Sequence, residues 1–115
     1  MSTISIYHNT RCSKSNEVVK LLEEQKLSTE IKLYLLDPLT DDEIKSMLKG
    51  YVGELKELIR VKDAKKLGVI FPVEYSFEEV FTLLKNTPAI MERPVVGKDG
   101  KFIVARPADK AQIIL

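Results

Sequence analysis

Residues 3–36 switch between two hydrophobic periods, and that switch restricts the fold more than any other feature of the chain. "TISIY" (3–7) is β-branched, with apolar residues at alternate positions, the pattern of a half-buried strand. "KSNEVVKLLEEQ" then places Val18, Leu21 and Leu22 on one face at helical spacing. "EIKLYLL" (30–36) returns to alternation, with Ile31, Leu33 and Leu35 on one side. Strand, helix and strand in this order make a βαβ unit, in which a helix carries the chain between two parallel strands.

The middle of the chain reads as helical. "TDDE" is a capping box, with Thr40 as N-cap and Glu43 reaching back. Ile44, Met47, Leu48 and Tyr51 follow with the spacing of one helix face. Gly53 interrupts, and "ELKELI" resumes the pattern with Leu55, Leu58 and Ile59. A second capping box, Ser76 to Glu79, opens "SFEEVFTLLKN", whose Val80, Leu83 and Leu84 form an apolar stripe. Helix is therefore expected across residues 40–86. The end of the chain is β again: "RPVVGKDGKFIVARP" predicts strands at Val95–Val96 and Phe102–Val104 around a "GKDG" turn. Pro107 suits the first turn of a last helix, "PADKAQIIL". The order βαβ, helices, ββα is a thioredoxin-like α/β layout. It predicts one domain over residues 1–115, with a helical insertion at 37–90.

Composition excludes several classes of partner. At 44% hydrophobic and 30% charged the chain is an ordinary globular sequence, and no apolar run approaches the roughly 18 residues of a membrane span. The start, "MSTISIYHN", lacks the basic and apolar regions of a signal peptide, so a cytoplasmic location is expected. A net charge of +1 predicts no general affinity for nucleic acid or membrane. Cys12 and His8 are the only cysteine and histidine, which leaves no internal disulfide and no donor set for a metal. Of 18 basic residues only Arg11, Arg60, Arg93 and Arg106 are arginine. A chain that meets its surface needs with lysine can keep the planar guanidinium for gripping oxyanions.

Cys12 follows a strand and immediately precedes a helix, where free backbone N–H groups and the helix dipole favour an anion. Such a position can bring a thiol from about 8.5 into a range of roughly 3.5–7.5. Arg11 and Lys14 are cationic neighbours, His8 is another when protonated, and the Ser15 hydroxyl is one turn along. A free cysteine is usually a small buried hydrophobe. The six polar residues around this one in "NTRCSKS" favour a reactive thiolate instead. Ser15 stands where a C-x-x-C motif would have its second cysteine, so no dithiol cycle closes within the chain. Val18 stands where a phosphatase-type loop needs arginine, and no glycine-rich nucleotide cradle occurs.

"YHNTRCSKS", Arg60 after "ELKELI", "ERPVV" and "ARP" together resemble the glutathione- and glutaredoxin-coupled arsenate reductase family, in order and over essentially the whole chain. The resemblance implies a thioredoxin-like fold with a helical insertion. It also implies Cys12 as nucleophile, assisted by His8 and Ser15, and Arg60, Arg93 and Arg106 as ligands of arsenate, with Arg11 and Pro94 in support. A cis peptide at Arg93–Pro94 belongs to the same expectation. No cofactor is bound on this reading; glutathione is the cosubstrate, glutaredoxin clears the mixed disulfide, and the chain acts as a monomer. The family often has proline at the position of Thr10 and arginine at that of Asn16, so this chain departs from it twice. Two other readings stay open: a redox-sensing regulatory protein of the same fold, and a glutathione-dependent thiol oxidoreductase acting on another substrate. Related regulators commonly carry C-x-x-C, which Ser15 breaks.

Overall fold

The computed structural model describes residues 3–69 and 74–115, so the part of the expected helical block at 70–73 lies outside the described residues. Strands β1 (Ile4–Tyr7), β2 (Thr29–Lys32), β3 (Val95–Lys98) and β4 (Lys101–Val104) form one sheet in the order β2-β1-β3-β4. Helix α1 (Ser13–Glu24) links β1 to β2, which pair in parallel with Ile6 opposite Ile31. β3 runs antiparallel to both β1 and β4, with Val96 opposite Ile6 on one side and Ile103 on the other. This is the thioredoxin-like α/β architecture that the periodicities predict.

Side-chain alternation divides the core in two. Ile4 and Ile6 of β1, Val96 of β3 and Ile103 of β4 face Val18 and Leu22 of α1. Tyr7, Val95 and Val104, the intervening residues, face the other way. There they meet α2 (Asp41–Gly50), α3 (Val61–Lys66) and α4 (Phe77–Asn86), through Ile44, Met47, Ala64, Val80 and Leu84. Each fully buried aliphatic side chain is worth about 1.5–3 kcal/mol over an exposed one. Both capping boxes form: Thr40 Oγ1 accepts from the Glu43 N–H at 3.1 Å, and Ser76 Oγ from the Glu79 N–H at 3.2 Å.

Three local expectations are corrected. β2 stops at Lys32, and Leu33–Asp37 is a turn closed by the Asp37 N–H on the Leu33 carbonyl at 2.9 Å. Tyr34 in the turn is 1% exposed, whereas Ile31 within β2 is 42% exposed and Leu35 and Leu36 in the turn are 43% and 82% exposed. β2 is an edge strand, and its Ile31 stays exposed. The "ELKELI" stretch is a 3₁₀ turn at Leu55–Leu58 that ends in an isolated antiparallel bridge, Ile59 opposite Met91. The last helix is 3₁₀ over Ala108–Ile113, with Pro107 before its first turn rather than in it. The "GKDG" turn narrows to Asp99–Gly100, at φ 52° and 80°. Two left-handed residues are what a two-residue hairpin needs to match the twist of its strands.

Candidate active site

One end of the sheet gathers the chemistry. β1 ends at Tyr7 and runs into His8 and the Cys12 loop, β3 begins just after Arg93–Pro94, and β4 ends just before Arg106. Because β1 is antiparallel to β3 and β3 to β4, all three ends lie together. The Ala105 N–H donates to the Pro94 carbonyl at 3.0 Å, holding the flanks of the hairpin in register. The Arg93–Pro94 peptide is cis, as the resemblance implies, and so is Arg106–Pro107. The Ile59–Met91 bridge brings in Arg60: its N–H donates to the Ile90 carbonyl, and the Glu92 N–H to the Leu58 carbonyl, each at 2.7 Å.

Cys12 is half-buried and occupies the N-cap position of α1. Burial pushes its thiol up, but the backbone N–H groups of Ser15 and Lys14, the Arg93 side chain and the Arg106 charge outweigh burial and hold it below the ordinary value. Arg106 Nη1 donates to the Cys12 sulfur at 3.6 Å and to the Arg93 carbonyl at 3.1 Å. The thiolate is therefore favoured by helix-end amides on one side and guanidinium groups on the other.

Ser15 and His8 form a pair of their own. The Ser15 side chain is fully buried; its hydroxyl hydrogen-bonds His8 Nδ1 and accepts the Asn9 N–H at 3.2 Å. The contact of Ser15 with the sulfur thus runs through its backbone amide rather than its hydroxyl. Burial lowers the His8 pKa, which favours the neutral ring at pH 7, so this pair braces the loop as a hydrogen-bonded unit. Asn16 Nδ2 donates to the Thr10 carbonyl at 2.9 Å, so the two positions that depart from the family pattern are tied to each other. Arg11 is exposed, its N–H bound to Asn9 Oδ1 at 2.9 Å. It lines a cleft of about 580 Å³ together with His8, Leu35, Leu36 and Arg93.

The three downstream arginines meet through two carboxylates. Glu92 Oε1 accepts from Arg60 Nη1 at 2.7 Å and lies 3.3 Å from Arg106 Nη1. Asp63 Oδ2 accepts from Arg60 Nε at 2.8 Å and lies 3.7 Å from Arg93 Nη1. Arg93 and Arg106 act directly on the sulfur, whereas Arg60 is held by Asp63 and Glu92 in the outer part of the cluster. The sequence motifs do not single out Asp63, Glu92 or Tyr34. Asp63 follows Arg60 by three residues on α3, a spacing that marks a helical ion pair, and Glu92 directly precedes Arg93. Nothing in the local pattern marks Tyr34. Among the described residues no group of three His, Cys, Asp or Glu side chains could hold a metal ion, and no helix is long and apolar enough to cross a membrane.

A nucleophilic sulfur beside two guanidinium groups can attack a small oxyanion, since the fixed positive charges offset the repulsion between two anions. The ArsC family model matches residues 7–114 of the chain. An arsenate reductase of Neisseria meningitidis is 35% identical, with all of both chains covered. One from Haemophilus influenzae is 32% identical, over 98% of this chain and 99% of the other. The solved structure of an arsenate reductase from Vibrio cholerae matches with a TM-score of 0.81 and 28% identity, covering 99% of this chain and 98% of that one.

Proposed function

The chain belongs to the ArsC family, and from that premise we propose that it reduces arsenate to arsenite with Cys12 as nucleophile and glutathione as the source of the second thiol. The observation that carries this reading is the Cys12 sulfur facing Arg106 Nη1 at 3.6 Å, with Arg93 beside it. The guanidinium groups hold arsenate oxygens while the thiolate forms a sulfur–arsenic bond and one oxygen leaves as water. Glutathione then supplies its sulfur. Two electrons pass to arsenic, which leaves as arsenite, and the two sulfurs are left joined as a mixed disulfide on Cys12. In sum, arsenate and two thiols become arsenite, one disulfide and water. Glutaredoxin reduces the mixed disulfide and resets the enzyme. His8 and Ser15 keep the loop shape that aims the Ser15 and Lys14 amides at the sulfur. The protein is expected to work as a cytoplasmic monomer.

Arsenite formation in the presence of glutathione and glutaredoxin tests the reading. Turnover with wild type and none with Cys12→Ser, at unchanged fold, is the expected result. Equal arsenite formation by the two proteins would overturn it.

A further inference from the structure

Tyr34 is 1% exposed, yet its hydroxyl has no hydrogen-bond partner. The only other buried side-chain polar atom in that condition among the described residues is Nε of Arg93, one of the two arginines on the sulfur. The two are neighbours: Arg93 lines one cleft with Leu33 and Leu35, the residues on either side of Tyr34, and its charge is the foremost influence opposing burial on the Tyr34 phenol. The tyrosine ring packs in the apolar cluster with Ile44, Leu84 and Met91. Phenylalanine would fill that space without burying an unpaired oxygen, so packing accounts for the ring and not for the hydroxyl.

We propose that Tyr34 is a positioning residue for the oxyanion site, its phenol oxygen facing the inner Nε edge of Arg93 and fixing that guanidinium beside the Cys12 sulfur. A phenol accepts one hydrogen bond and donates another. Its lone pair suits the Arg93 Nε–H; Nη1 of the same fork donates to the Ala89 carbonyl at 3.4 Å and lies 3.7 Å from Asp63 Oδ2, so the guanidinium is held from several sides beside the sulfur. An arginine held from behind in this way loses less side-chain freedom when an anion binds. The proposal rests on the reading of Cys12, Arg93 and Arg106 as an oxyanion site.

The test is protection of Cys12 from iodoacetamide by arsenate, with sulfate as a second probe, in wild type, Tyr34→Phe, Arg93→Lys and the double variant. Protection by sulfate reads anion binding alone, protection by arsenate reads binding together with the sulfur–arsenic bond, and neither needs turnover. Thermal melts confirm that each variant is folded. Tyr34→Phe should melt at or above the wild-type temperature and require about tenfold more arsenate for half-protection. In the Arg93→Lys background the same change should have less than a twofold effect, because a residue that acts through another has nothing left to act on. Unchanged half-protection in Tyr34→Phe would overturn the role of Tyr34. So would an effect that multiplies fully with that of Arg93→Lys. Wild-type Cys12 that neither anion protects would instead remove the oxyanion site itself, and the proposal with it.

Discussion

Arg106 Nη1 and the Cys12 sulfur meet at 3.6 Å across 94 positions of sequence. Two strand pairings make the contact: β1 against β3 and β3 against β4 bring the chain back to the loop that leaves β1. The contact gives the thiolate a cation that the fold holds in place.

Removing that cation should show in the reactivity of the thiol. Cys12 is held below its ordinary value by the Ser15 and Lys14 amides, Arg93 and Arg106, against burial. Iodoacetamide alkylation of wild type, followed against pH, should have its midpoint under the roughly 8.5 of a free thiol. Arg106→Ala leaves burial and the amides but removes one cation, so its midpoint should move up. A wild-type midpoint at or above roughly 8.5 would mean that burial outweighs the amides and arginines, and no upward movement in the variant would mean that Arg106 does not stabilise the thiolate.

Arg60→Lys keeps the charge and should still be damaging. Arg60 reaches Asp63 through Nε and Glu92 through Nη1, two directions from one rigid plane that a single ammonium cannot reproduce. Glu92 also lies against Arg106, so loosening it disturbs the guanidinium group on the sulfur. An increase of about tenfold in the arsenate KM is expected, equivalent to about 1.4 kcal/mol of binding. Wild-type kinetics in Arg60→Lys would show that only net charge matters at this position.

The parts of the site that were legible in the sequence were those whose residue types are scarce. One cysteine, one histidine and four arginines stand out in a chain with 14 lysines, and their flanking motifs fixed the order of the fold around them. Asp63 and Glu92 are two of 17 acidic residues, so composition does not mark them; Asp63 meets Arg60 through its i, i+3 spacing, and the bridge between Ile59 and Met91 is what brings Glu92 there. Tyr34 lay hidden for a different reason. Its stretch alternates as a strand, and that period groups Ile31, Leu33 and Leu35 on one side and leaves Tyr34 off it. Ile31 is already exposed on the edge strand β2, and the turn at Leu33–Asp37 carries Tyr34 into the core while Leu35 and Leu36 stay outside. Periodicity reports on a regular backbone and fails where a tertiary turn replaces it.

His8 should couple folding to pH. Burial lowers its pKa in the folded protein, so below the ordinary value near 6.5 the unfolded chain binds a proton that the folded one resists. Its contribution is complete above about 6.5 and is lost as pH falls toward the lower folded value. Urea midpoints at pH 7.5 and pH 5.5 are the measurement, with His8→Gln as the control that cannot titrate. Wild type should lose more stability over this interval than His8→Gln. Equal losses would place the His8 pKa in the folded protein at its unfolded value.

The lone thiol sets the last expectation. Cys12 is the only cysteine, so the disulfide formed when arsenic takes two electrons has no partner within the chain. Without an external thiol the enzyme should form the sulfur–arsenic bond and stop. With arsenate and glutathione but no glutaredoxin, intact-protein mass spectrometry should find one glutathione joined to Cys12, and none on Cys12→Ser. Adding glutaredoxin should clear the adduct and restore turnover, because thiol–disulfide exchange at the sulfur returns Cys12 to the thiolate that Arg93 and Arg106 stabilise. Sustained arsenite production with no added thiol would mean that the electrons come from elsewhere, and the mixed-disulfide step would have to be abandoned.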